Sequence, residues 1–157
     1  MELFKNYLPK NQFSVPVYKR VKKFLKEHQG IDVSKPITVD EYSLLGKMVL
    51  ASLRENRAHR LKEYNDQYRD QLVDNIQLLL STEMMKYGPT LGKLTRINID
   101  IDMWLKDALL THIEAQRITG IPEYTACRNF LEHYNLVDDY NLDAAYKTYQ
   151  RAEVLGR

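Results

Sequence analysis

The side chains with catalytic or ligating potential are few and scattered. The four histidines fall at positions 28, 59, 112 and 133. No two stand four residues apart, so the helical His-x-x-x-His pair of many zinc enzymes is absent. His112-Ile113-Glu114 matches the opening His-x-Glu of the zinc deaminases, but their paired cysteines are missing, since Cys127 is the single cysteine. His112 lies on an apolar helical stripe and is read as a core histidine with its hydrogen bonds satisfied. Cys127 lies among apolar residues and is read as a buried structural thiol. Asn98, Asp100 and Asp102 place ligating side chains at alternate positions. A calcium loop starting at Asn98 would need glycine where Met103 stands and glutamate where Leu109 stands, so these residues are read instead as caps of the helix that follows. Phosphate loops, dinucleotide fingerprints and nucleophile elbows are absent. These residues predict a non-enzymatic protein with no catalytic residue, no metal, no cofactor and no small-molecule substrate.

Binding chemistry is better represented. Lys19, Arg20, Lys22, Lys23 and Lys26 make residues 19–26 the most basic segment of the chain. Such a run can be a solvated helix face, a phosphate-contacting surface whose binding weakens with salt, or a helix lying on an anionic membrane. The apolar face is short and lacks tryptophan, which disfavours the membrane. Residues 107–130 read as helix, glycine-containing turn and helix, the outline of a helix-turn-helix. There Asn129 is a candidate for adenine and Arg128 for guanine or phosphate. Residues 1–97 carry 17 Lys/Arg against 11 Asp/Glu, and residues 98–157 carry 6 against 10. A basic front and an acidic back attract each other or meet partners of opposite sign. Small chains of this look resemble, in outline, accessory proteins of mobile elements.

The elements that must position these residues are predicted to be all-α. Hydrophobic residues make up 44% of the 157, enough for a core, while 6 glycines and 5 prolines leave few tight turns for an all-β fold. Residues 1–37 are expected to form an N-terminal arm and a basic helix, with Pro16 in its first turn, Ser14 as cap and Gly30 at its end. Residues 38–157 are expected to form the helical core domain. Thr38 and Glu41 suit a capping box, and apolar residues then recur at helical spacing through residues 39–87. That stretch predicts a long central helix, continuous or bent at a polar waist over residues 54–60. Its mean apolar step is about 3.7 residues, which disfavours a heptad zipper. The segment Leu72–Met85 is apolar on nearly every side and is taken as the centre of the core. Ile97–Asp102 alternates like a strand but has no visible partner strand, and is assigned to a helix. A helix-turn-helix-like unit of three helices follows, over about 98–153, with Pro122 and Asn141 opening its second and third helices.

The function this predicts is a helical binding protein acting on nucleic acid or a nucleoprotein complex, with phosphate contacts from the basic helix. The alternative is a protein-interaction or homo-oligomeric assembly subunit that uses the long helix as its interface, through Tyr42, Leu45, Val49 and Leu53. The expected partners are accordingly DNA or RNA, a second copy or another protein, and not a membrane. The N-terminus lacks the apolar stretch of a signal peptide and no window is apolar enough to span a bilayer, so the cytoplasm is the expected compartment.

Overall fold

The computed structural model describes residues 11–55 and 72–155. The predicted arm residues 1–10, most of the polar waist and His59 lie outside them. Among the described residues the order of elements is β1 (Gln12–Val17), α1 (Lys19–Glu27), β2 (Ile37–Thr38), α2 (Leu44–Arg54), β3 (Asp74–Leu79), α3 (Thr82–Met85), α4 (Leu91–Ile118), α5 (Glu123–His133) and α6 (Leu142–Val154). The fold is therefore rich in helix but not all-α. Two compact units are present. Unit 1 comprises residues 1–18 and 32–98, and unit 2 comprises residues 19–31 and 99–157. Helix α4 runs from one unit into the other.

Unit 1 holds a three-stranded mixed sheet of order β1-β3-β2. β3 pairs antiparallel with β1, from Gln12 opposite Leu79 to Val17 opposite Asp74, and parallel with β2. Ile76, Leu78 and Leu80 are buried, and so are Val15 and Val17. That two-residue period is the mark of strands with one face inward. The predicted long helix over 39–87 thus does not exist. α2 ends at Arg54, and the segment Leu72–Met85, taken as all-round-apolar helix, holds the central strand β3 and only the short helix α3 at its end. A short apolar run looks the same in a buried strand and a buried helix, which is why periodicity misled here. The partner strand was hidden by Pro16. It sits in β1, an edge strand paired on one side only, where a missing N–H is tolerated. It does not open α1, which begins three residues later.

Thr38 lies in β2, and the cap of α2 is Ser43, whose hydroxyl oxygen accepts from the Gly46 N–H at 2.9 Å. The tight turn Asp40–Ser43 precedes it. Asp40 Oδ1 accepts from the Tyr42 N–H, and the Asp40 carbonyl accepts from both the backbone and the hydroxyl of Ser43. The first turns of α4 also belong to unit 1. There Asn98 is fully buried, and its Oδ1 accepts from the Tyr18 N–H at 3.0 Å. Asn98 and Asp102 are therefore not caps. α4 begins at Leu91, and both residues lie well inside it.

Unit 2 is helical. Assigning Ile97–Asp102 to a helix agrees with α4. Gly30, at φ +67°, closes α1 with the Gln29 N–H on the Phe24 carbonyl and the Ile31 N–H on that of Leu25. Asn141 caps α6, its side chain accepting from the Ala144 N–H at 3.1 Å. Gly120, at φ +88°, turns the chain between α4 and α5, and Pro122 is the N-cap of α5. Cys127, Phe130, Leu131, Leu136, Ala145 and Tyr149 are buried. No helix among the described residues is long and apolar enough to cross a membrane.

Candidate nucleic-acid interface

Helix α1 carries the basic segment, and its geometry divides the five cations. At 100° per residue, Val21, Phe24 and Leu25 occupy one side, and all three are buried. Lys19, Lys22, Lys23 and Lys26 occur at i, i+3, i+4 and i+7, forming one row on the opposite side. Lys19 and Lys26 are exposed. Arg20 stands off this row. Its guanidinium donates from Nε to Asp102 Oδ1 at 2.7 Å and from Nη2 to Oδ2 at 2.9 Å, a two-pronged pair with a side chain only 7% exposed. Lys106 reaches the same carboxylate at 3.2 Å, and the Arg20 guanidinium lies 4.8 Å above the Tyr140 ring. Lys23 pairs with Asp139 at 2.5 Å.

The charge asymmetry of the sequence is thus resolved inside unit 2. Residues 19–31 carry five Lys/Arg and one Asp/Glu, whereas residues 99–157 carry six against ten. Asp102 and Asp139 draw two of the five cations inward and fix which side of α1 faces out. Neither acid stood out in the sequence as a counter-ion, because each lies far from α1 along the chain. The acidic balance beyond residue 98 was the available signal.

The structure separates the two predicted base readers. Arg128 is exposed on α5. Asn129 is half-buried, and its Nδ2 donates to Gln116 Oε1 at 3.3 Å, tying α5 to α4. The predicted assembly seam is also divided. Tyr42 lies in the turn before α2 and is 82% exposed, whereas Leu45, Val49 and Leu53 are buried.

A second cluster, unseen in the sequence, lies between α1, α4 and α5. The His28 ring stacks on Phe24 with centroids 4.8 Å apart and approaches Tyr134 to 4.7 Å. Phe24 meets Trp104 edge-on at 5.3 Å, and His112 meets Phe130 at 5.4 Å. His133 stands at the rim against Tyr134, at 4.6 Å. His112 does sit against the core, but it is not satisfied: its Nε2 is buried without a hydrogen-bond partner. Burial lowers the affinity of both His28 and His112 for a proton, and His133 and His28 lower that of His112 further. The only cysteine is buried, and burial pushes its thiol up to about 11, which keeps it unreactive. Among the described residues no group of three His, Cys, Asp or Glu side chains is arranged to hold a metal ion.

Protein-family models, curated proteins and solved structures were each compared with the chain, and none matches. The chemistry of the site therefore rests on its own residues.

Proposed function

We propose that the chain is a non-enzymatic binding protein that grips the phosphate backbone of nucleic acid with the outer row of α1. The observation that supports this is the placement of that row. Lys19 and Lys26 are exposed on the side of α1 turned away from Val21, Phe24 and Leu25, with Lys22 between them, while Asp102 holds Arg20 and Asp139 holds Lys23, which fixes the helix about its axis. The row is roughly 10 Å long at 1.5 Å per residue, the axial reach of about three phosphates of one strand. Arg128 is an additional exposed cation in the same unit. Asn129 is occupied by Gln116, so recognition on this proposal is electrostatic and indifferent to base sequence.

Fluorescence anisotropy with mixed-sequence duplex and single-stranded DNA, from 20 to 200 mM salt, tests the proposal. Binding should be weak and fall with salt, with a log–log slope of about −2 to −3 for duplex if two or three lysines each neutralise a phosphate. The double variant Lys19→Glu/Lys26→Glu should abolish binding and leave the far-ultraviolet dichroism intact. Salt-insensitive binding, or undiminished binding by the double variant, would overturn it.

A further inference from the structure

The aromatic cluster joins three imidazoles to the C-terminal turn of α1, and nothing in the proposed phosphate grip uses them. On α1, the neighbours of His28 one turn back are Phe24 and Leu25. On α4, those of His112 are Ala108, Leu109, Ala115 and Gln116. On α5, those of His133 are Asn129 and Phe130. None is charged. Glu27 and Glu132 adjoin His28 and His133 in sequence but are exposed. The Tyr134 phenol is the remaining titratable group in the cluster. The ionisable groups that bear on His112 are His133 and His28, and these are positive once protonated. Among the described residues the cluster thus has aromatic partners for neutral imidazoles, and no carboxylate acts on His28 or His112.

The hydrogen bonds point the same way. His28 Nδ1 lies 2.7 Å from the Gln29 amide nitrogen, which can only donate, so Nδ1 accepts and the ring's single hydrogen is on Nε2. An incoming proton must take the Nδ1 lone pair and displace that bond. For His112, protonation makes both ring nitrogens donors, and Nε2 is buried with no acceptor.

We propose that this cluster is an acid-sensitive latch: protonation of His28 and His112 opens the C-terminal turn of α1 from α4 and α5, while Arg20–Asp102 and Lys23–Asp139 keep its N-terminal part tethered. Helix α1 is the element that yields, because nine residues are too few to hold a helix without packing. The direction follows from linkage. Above about pH 6.5 both the folded and the open states carry neutral imidazoles, and the latch is closed without penalty. As pH falls below that value, the open state takes up protons before the closed state does, and the closed state loses ground until the buried rings titrate as well. The latch is independent of what α1 binds, so its failure would leave the phosphate proposal standing, and the reverse holds too.

Amide hydrogen exchange on the intact chain at pH 7.5 and 5.0, corrected for intrinsic rates, tests it. The amides of His28, Gln29 and Ile31 report the turn in question. Their protection should fall at pH 5.0 relative to pH 7.5, because the open state takes up protons before the closed one does, while that of α6 stays unchanged. The fluorescence of Trp104, the only tryptophan, should change over the same range as Phe24 withdraws. In His28→Gln/His112→Gln, the pH dependence at these amides should vanish. A uniform loss of protection across unit 2, or no loss at this turn, would overturn the latch. Should the double variant fail to fold, proton NMR titration of the wild-type imidazoles decides: His28 and His112 must titrate below the ordinary histidine value, and titration at or above it refutes the proposal.

Discussion

The two units solve the problem of holding a short element in place by different means. In unit 1 the hard-to-place pieces are strands, and they are fixed by backbone pairing: β1, six residues long, is registered residue by residue on β3. In unit 2 the hard-to-place piece is α1, which has no backbone partner to pair with. It is fixed by side chains, with apolar residues beneath it, two ion pairs toward its N-terminal end and stacked rings at its C-terminal end. Backbone pairing is indifferent to pH and salt. Ion pairs and imidazoles are not. The difference teaches where conditions can act: the attachment of α1 is responsive, and that of β1 is not.

The sharpest break on the unit 1 side is Gly46. A Cβ there would lie 1.6 Å from the Asp40 carbonyl oxygen and 2.4 Å from its carbon, both backbone atoms of the turn that Ser43 holds. Neither the turn nor the helix can give way alone. Gly46→Ala should destabilise unit 1 by about 3 kcal/mol, the upper part of the range for overpacking, read as a shift in the urea midpoint. A change under 0.5 kcal/mol would show that the turn over α2 is not fixed as described.

The counterpart in unit 2 is Asp102→Ala. It removes the carboxylate that the Arg20 guanidinium, whose side chain is 21% exposed, pairs with through two nitrogens. Removing one member of a buried pair costs about 3–5 kcal/mol, and the partial exposure of Arg20 puts this loss near about 3 kcal/mol. The loss should shrink in Arg20→Met/Asp102→Leu, which removes both charges. A double variant no more stable than Asp102→Ala would show that packing, not the ion pair, is what Asp102 contributes.

The same contrast explains what could be read from the sequence. Unit 2 was largely legible. Its helices announce themselves through an apolar stripe from Ile101 to Ile113, the glycine at 120, Pro122 and the Asn141 cap, all local signals. Unit 1 was not, because a sheet depends on pairs distant in sequence. Val15 meets Ile76 sixty-one positions away, and neither segment betrays the other. Pro16 and Thr38, which suit helix starts by local rule, sit in edge strands because pairing outweighs local propensity. At the candidate site the cations of α1 were visible, while their division into anchoring and outward-facing groups was not. That division depends on Asp102 and Asp139, placed there by the fold.

The smallest expected effects come from the two helix caps, and they still separate the units. Ser43→Ala and Asn141→Ala each remove a side-chain oxygen that accepts a first-turn N–H, from Gly46 and Ala144 respectively. A lost cap costs about 1 kcal/mol. Ser43 does more, since its hydroxyl also donates to the Asp40 carbonyl at 2.7 Å, the atom that crowds Gly46. Its removal frees the turn as well as the helix end. Among the described residues the Asn141 side chain makes only the capping bond, and α6 stays anchored beyond it by Ala145 and Tyr149, both buried. Ser43→Ala should therefore cost more than Asn141→Ala in urea unfolding, by about the 0.5–1.5 kcal/mol of one further hydrogen bond. Equal costs would mean that the Asp40–Ser43 turn contributes nothing beyond a cap.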